Sequence, residues 1–219
     1  MKKLLRTLSL ALLVGVALLA TSCDKKNNGN EPEPPVTGEV KKAEYIDASA
    51  YDKWAYFSFA TGKEVKVSDP KNSKDWDVAF HRGDIRVNGA EGFSGKGGVF
   101  MTEGTDLNAK IDTKNINFKT NTEALVQVES GMIAKQENRP VKTEKQHYIF
   151  VGEKTNEYRF FAYNSNSQMG DVKNMYPANK KIFVFRGADG KSIYKVQLAD
   201  VLDAKGRKAG FLSFNYAKI

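Results

Sequence analysis

From about Glu44 onward the apolar residues of this chain recur with a period of two rather than 3.6. Trp76, Val78 and Phe80 alternate with Asp77, Ala79 and His81; Tyr194, Val196 and Leu198 alternate with Lys195 and Gln197; Leu212, Phe214 and Tyr216 alternate with Ser213 and Asn215. Successive side chains of a strand point to opposite faces, so this spacing predicts half-buried strands. Further strands are expected at 54–59, 84–88, 97–101, 124–129, 147–152, 157–163 and 181–186, separated by Gly/Asn/Asp turns. The stretch Arg186-Gly187-Ala188-Asp189-Gly190 reads as a hairpin turn. No window carries a long amphipathic helix, and 199–204 (ADVLDA) could form one short helical turn. The expected fold is all-β: a single domain of many short antiparallel strands over 44–219. The polar segments 102–122 and 164–180 are expected to be long loops, which in compact domains are usually functional or mobile.

The N-terminus is of another kind. Residues 1–22 combine a basic start (Lys2, Lys3, Arg6), an apolar run from Leu8 to Ala20 and small residues ahead of Cys23. That is the organisation of a secretory signal, and the apolar run is short of the roughly 20 residues needed to span a bilayer. Leu19-Ala20-Thr21-Ser22-Cys23 resembles a bacterial lipobox, in which cleavage precedes the cysteine and the sulfur is acylated. Cys23 is the chain's single cysteine, so its acylation leaves no thiol for catalysis or a disulfide. Residues 23–43 follow as a tether carrying three of the six prolines. A flexible stretch of that length spans about 25 Å as a coil and up to ~70 Å extended, which anchors a folded domain to a lipid surface without crossing it.

Charge and chemistry exclude several function classes. The formal net charge is +8, but three of the positive charges, Lys2, Lys3 and Arg6, leave with the signal, and no basic cluster remains to argue for nucleic acid. His81 and His147 are the only histidines, and no G-x-S-x-G, H-E-x-x-H or paired-cysteine spacing accompanies them, so an enzyme is not expected. By alternation His81 faces the same way as Asp77 and Ala79 and reads as a hydrogen-bonded structural residue, and His147 reads as exposed. Gly92, Gly95, Gly97 and Gly98 could cradle a phosphate only with a helix behind them; without one they read as a Gly-rich β-turn. Of the methionines, Met132, Met169 and Met175 lie outside strong strand patterns, unlike Met101. A loop thioether either packs over a sheet edge or serves as a soft ligand to copper or haem iron, and the residues alone leave both open.

Four stretches carry a resemblance: 45–59 (YIDASAYDKWAYFSF), 76–88 (WDVAFHRGDIRVN), 94–99 (SGKGGV) and 182–197 (IFVFRGADGKSIYKVQ). In order and spacing they resemble the HmuY family of haem-binding lipoproteins, with little likeness between about 102 and 165. The resemblance implies an all-β domain whose extended loops grip haem between two axial ligands. It further implies capture outside the cell and transfer to a TonB-dependent outer-membrane receptor, the protein being held at the outer membrane by a lipid on Cys23. Family members use either two histidines or methionines. Counting back 17 residues from Arg186, with Tyr176 and Gly170 both matching, reaches Met169 as one implied axial ligand. The other, also preceded by glycine, falls on Met132 after Gly131, with Met175 in reserve should the second loop slip in register. A surface glycan-binding or adhesin lipoprotein, stacking saccharides on Trp54 or Tyr163, is the competing expectation; a copper carrier would need Met132, Met169 and Met175 to converge on one ion.

Overall fold

The structure, a computed structural model, describes residues 38–150 and 158–219; the signal segment, Cys23 and most of the tether lie outside them. Among the described residues, one antiparallel sheet is built from β1 (Lys41–Asp47), β6 (Gly98–Met101), β9 (Ile182–Arg186), β10 (Ile193–Leu202) and β11 (Ala209–Lys218), in the order β1-β11-β10-β9-β6. A second contains β2 (Ala55–Ser58), β3 (Lys63–Val65), β4 (Val78–His81) and β5 (Asp84–Val87), in the order β3-β2-β4-β5. A two-stranded ribbon pairs β7 (Thr122–Gln127) with β8 (Thr143–Tyr148), and two short helices, α1 (Gly131–Gln136) and α2 (Val172–Met175), sit in loops. No helix among the described residues is long and apolar enough to cross a membrane.

The period-two residues do what their spacing demands. Phe80 of β4, Phe57 of β2, Phe183 and Phe185 of β9 and Phe214 of β11 turn inward from the two sheets and share one apolar core. Their rings meet at the centroid separations and tilted or edge-on angles that the aromatic quadrupole prefers: Phe57–Phe214 at 5.1 Å and Phe160–Phe183 at 4.9 Å. The expected hairpin joins β9 to β10, Ile193 opposite Arg186, and Asp189 accepts the backbone N–H groups of Lys191 and Ser192 to hold the turn.

Several expectations are corrected. Residues 199–202 are not a helical turn but the end of β10; the ladder is interrupted at Asp200, whose carboxylate accepts the N–H groups of Val201 and Leu202. β1 begins at Lys41, within the stretch read as tether, because Ala43 and Ile46 pack into the core while their neighbours stay exposed. β8 lies earlier than expected and is polar in its first half, since a ribbon exposed on both faces needs no apolar alternation. The described part of 157–163 forms no strand, only a single bridge between Phe161 and Ala178, although Tyr158 and Phe160 are buried in the core. The polar 102–122 segment, by contrast, is the expected long loop up to the start of β7, and it lies against the outer face of the five-stranded sheet. There buried Lys195 donates to the Ala109 carbonyl at 3.2 Å, Gln197 donates to Thr105 O, and Lys181 pairs with Glu103. Burial lowers the Lys195 ammonium's pKa.

Candidate functional site

Two arms leave the sandwich, and both are seated on the β4–β5 hairpin. The first is the β7–β8 ribbon. Its root continues from β8 into Ile149, whose N–H bonds the Ile85 carbonyl at 2.8 Å. Beside this, Arg86 of β5 donates from Nε to the His147 carbonyl (2.8 Å) and from Nη2 to Gln146 Oε1 (2.9 Å), with its guanidinium 3.7 Å from the centre of the Trp54 ring. Burial pulls the Arg86 pKa down to about 10, yet three polar partners and an aromatic face keep the cation accommodated. A cavity of about 370 Å³ opens at this root, lined by Phe118, Lys119, Thr120, Thr122, Ile149 and Phe150.

At the ribbon's tip, strand pairing ends at Gln127 opposite Thr143, and α1 fills the gap. Ser130, in extended conformation, caps the helix by accepting the Met132 N–H at 3.3 Å. Asn138 reverses the chain at φ +49, and the Arg139 N–H returns to the Ala134 carbonyl. Arg139 then donates to Glu129 from both Nη1 and Nη2 and to Glu137 from Nε at 2.6 Å; Glu129 also accepts the Lys142 N–H at 2.6 Å. The hydrogen bond from Arg139 holds the Glu129 carboxyl down at about 2. Only Ala134 of α1 is buried; Met132 is 72% exposed, with Ile133 and Leu125 also exposed.

The second arm starts from Phe160, whose N–H bonds the Gly83 carbonyl at 2.9 Å. Gly83 cannot be another residue here, since a Cβ would sit 1.9 Å from the Phe161 carbonyl oxygen. Its neighbour Arg82 adopts φ +55, and its guanidinium lies over Tyr51 (5.1 Å), Tyr176 (5.5 Å) and Phe161 (5.9 Å) while donating to Ser49 O and Ala209 O. That cation ties the loop to the sandwich at both of its stems, Phe161 and Tyr176. Beyond them, Asp171 caps α2 by accepting the Asn174 N–H, and Asn164 N–H bonds the Met175 carbonyl at 2.8 Å. Met169 at the tip is 98% exposed, Tyr163 is exposed, and Met175 is half-buried. Met169 and Met175 thus share one arm, while Met132 stands on the other.

The remaining candidates have structural occupations. His81 is buried, its Nε2 2.8 Å from the Tyr51 carbonyl and its Nδ1 3.7 Å from Asp84, as a structural histidine would be. His147, expected to be exposed, is half-buried because Gly92 leaves room for its ring. Trp54 is not a free stacking platform: Arg86 covers its ring and its Nε1 donates to Gln146 at 2.8 Å. Met101 is core. The Gly-rich turn is structural, since a Cβ at Gly95 would meet the Asn88 carbonyl at 2.3 Å. Among the described residues no cluster of His, Cys, Asp and Glu is arranged to hold a metal ion. Sequence reasoning missed Leu125, Ile133 and Phe150, apolar residues isolated in polar segments; of the eight large hydrophobics exposed among the described residues, these three, Met132, Tyr163 and Met169 stand on the arms.

The antiparallel sandwich thus carries two arms rooted on one hairpin, which display Met132 and Met169 together with exposed Leu125, Ile133 and Tyr163. The sequence profile of the HmuY protein family matches residues 50–216, and the chain belongs to that family. Solved structures with a similar fold include apo PinO from Porphyromonas gingivitis (TM-score 0.60, 21% identity, covering 83% of this chain and 97% of that one). The apo HmuY analogue TFO of Tannerella forsythia is similar to the same degree (TM-score 0.60, 20% identity, 84% and 98%). A protein from Bacteroides vulgatus described as HmuY-like and heme-binding has a similar fold as well (TM-score 0.57, 21% identity, 81% and 90%). No curated protein matches the chain.

Proposed function

We propose that this protein is a haemophore: a lipoprotein that captures haem at the bacterial surface through Met132 and Met169 as axial ligands and hands it to a TonB-dependent outer-membrane receptor. The observation that carries the reading is the display of two thioethers, 72% and 98% exposed, on separate arms of a HmuY-family domain whose other apolar side chains are largely buried. Exposed methionine at two loop tips has no packing role, and a thioether is a soft neutral donor suited to haem iron. The family's relatives add support, one being described as heme-binding. Residues 1–22 would be removed and Cys23 acylated, with the tether to about residue 40 holding the domain clear of the lipid surface.

The residues present fit haem as cargo. Met132 and Met169 would approach the iron from the two arms, and Leu125, Ile133 and Tyr163 offer apolar cover, each square ångström removed from water contributing about 25 cal/mol. Methionine sulfur does not titrate, so protons do not compete for it as they do for imidazole, and binding is expected to vary little between pH 5 and 8. Soft donors also favour ferrous over ferric iron, so reduction should tighten the complex. Met175, half-buried with its backbone engaged in α2, is the substitute if Met169 does not serve. The test is titration of the purified protein with haemin, following the Soret and visible bands before and after dithionite. Saturation at one haem per chain, tighter after reduction, supports the reading. Absence of any haem-dependent spectrum refutes it, and binding to a glycan array in its place would establish the lectin alternative.

A further inference from the structure

We infer that Glu129 and Arg139 are positioning residues: their ion pair closes the tip of the β7–β8 ribbon into a ring and sets Met132 in its presenting direction before any ligand arrives. The inference rests on the haem reading above and identifies what organises one of its two ligands.

A helix of six residues has no stability of its own, because nucleation costs more than so few hydrogen bonds return. Nor does packing fix it, since Ala134 alone is buried. What remains is polar closure, and Arg139 supplies most of it. One guanidinium grips Glu129, immediately before the N-cap Ser130, and Glu137, the residue that ends the helix, so a single cation brackets both ends of α1. Glu129 in turn takes the Lys142 N–H, fastening the returning strand to the same carboxylate. The fork geometry matters: two parallel N–H to oxygen bonds fix orientation as well as distance, which a lysine ammonium at the same place cannot do. The Arg139 hydrogen bond holds the Glu129 carboxyl below the ordinary carboxylate range, so acid opens the ring only below that range. A ligand held ready in this way avoids the population penalty that a disordered tip would impose on affinity.

The experiment compares Arg139→Ala, Arg139→Lys and Glu129→Gln with the parent, alone and combined with Met132→Ala, using two readouts. In the haem-free protein, amide hydrogen exchange at Ala134, Arg139 and Lys142 reports the ring directly. Exchange there is expected to quicken at least tenfold in Arg139→Ala and Glu129→Gln, while the core amides of β10 and the urea midpoint stay unchanged. With haemin under dithionite, both variants are expected to bind about tenfold more weakly, the fraction of tips in the competent arrangement having fallen to about a tenth. Arg139→Lys should fall between, and in the Met132→Ala background none of the three should cost anything further. The inference is overturned if Arg139→Ala binds as the parent does, if the loss is the same with Met132 already gone, or if the tip amides stay protected. A parent that takes up no haem is a different result: it sinks the proposed function, and the exchange arm alone then decides whether the ring orders the tip.

Discussion

Replacing Phe160 with alanine is expected to loosen the sandwich and unseat the second arm together. Phe160 is fully buried, with the rings of Phe80 at 5.0 Å, Phe183 at 4.9 Å, Phe214 at 6.2 Å and Phe185 at 6.4 Å, so it bridges the inner faces of both sheets. A buried phenylalanine removes roughly 200 Å² from water, about 5 kcal/mol at 25 cal/mol per Å², and measured Phe→Ala costs in cores run about 3–5 kcal/mol. With a urea m-value of about 2 kcal/mol/M for a domain of this size, the midpoint should fall by about 2 M at constant m. Equilibrium unfolding followed by far-UV circular dichroism reads this directly. Because the same residue's N–H holds Gly83, the variant should also quicken amide exchange at Phe160, Asn164 and Asn179, whose N–H groups bond within the second arm or to its seat. A midpoint shift below about 0.5 M, or roughly 1 kcal/mol, would refute the placement of Phe160 between the sheets and with it the rooting of the arm.

Other outcomes follow from the same geometry. Gly83→Ala places a methyl group on the Phe161 carbonyl, so it should weaken haem binding, measured by the Soret titration, more than it lowers the urea midpoint. Met169→Ala should leave stability within about 0.5 kcal/mol of the parent, whereas Met101→Ala should cost about 2–4 kcal/mol, both read by urea unfolding. Glu129 has its carboxyl pKa depressed from 4.5 to about 2, so its contribution to closing the ribbon tip is complete above the unfolded value and drains away as pH falls between them. Protection of the Lys142 amide should therefore fall across that window in the parent and show no such step in Glu129→Gln.

How much of this was legible beforehand divides along physical lines. The sandwich strands that face a core on at least one side, β2, β4, β5, β6, β9, β10 and β11, announced themselves through alternation, because burial forces the period. The ribbon strand β8 and the first strand β1 did not, since an exposed ribbon and a mostly solvated edge tolerate Thr-Glu-Lys-Gln and Lys-Lys as readily as valines. Asp200 misled in a specific way: a side chain that serves its own following N–H groups reads as a helix or turn signal, and here it marks a break in a ladder. The stretch 76–88 held more of the site than its ordinary strand pattern suggested. Gly83, Arg82 and Arg86 within it seat both arms. Neither clamp nor seat could be read from spacing alone: Glu129 and Arg139 look like any two surface charges until α1 closes between them. The exposed apolar side chains of the arms were invisible for the opposite reason, as a lone Leu125 or Phe150 in a polar run carries no periodicity.

The central claim, that two methionines on separate arms grip haem iron, meets its most direct test in the dithionite-reduced haem spectra of the parent, Met132→Ala, Met169→Ala and the double variant. The account predicts a six-coordinate low-spin ferrous spectrum for the parent, loss of the low-spin bands in each single variant, and no stable complex in the double variant. A double variant that keeps the parent's low-spin spectrum and affinity would contradict it and place the iron on other residues.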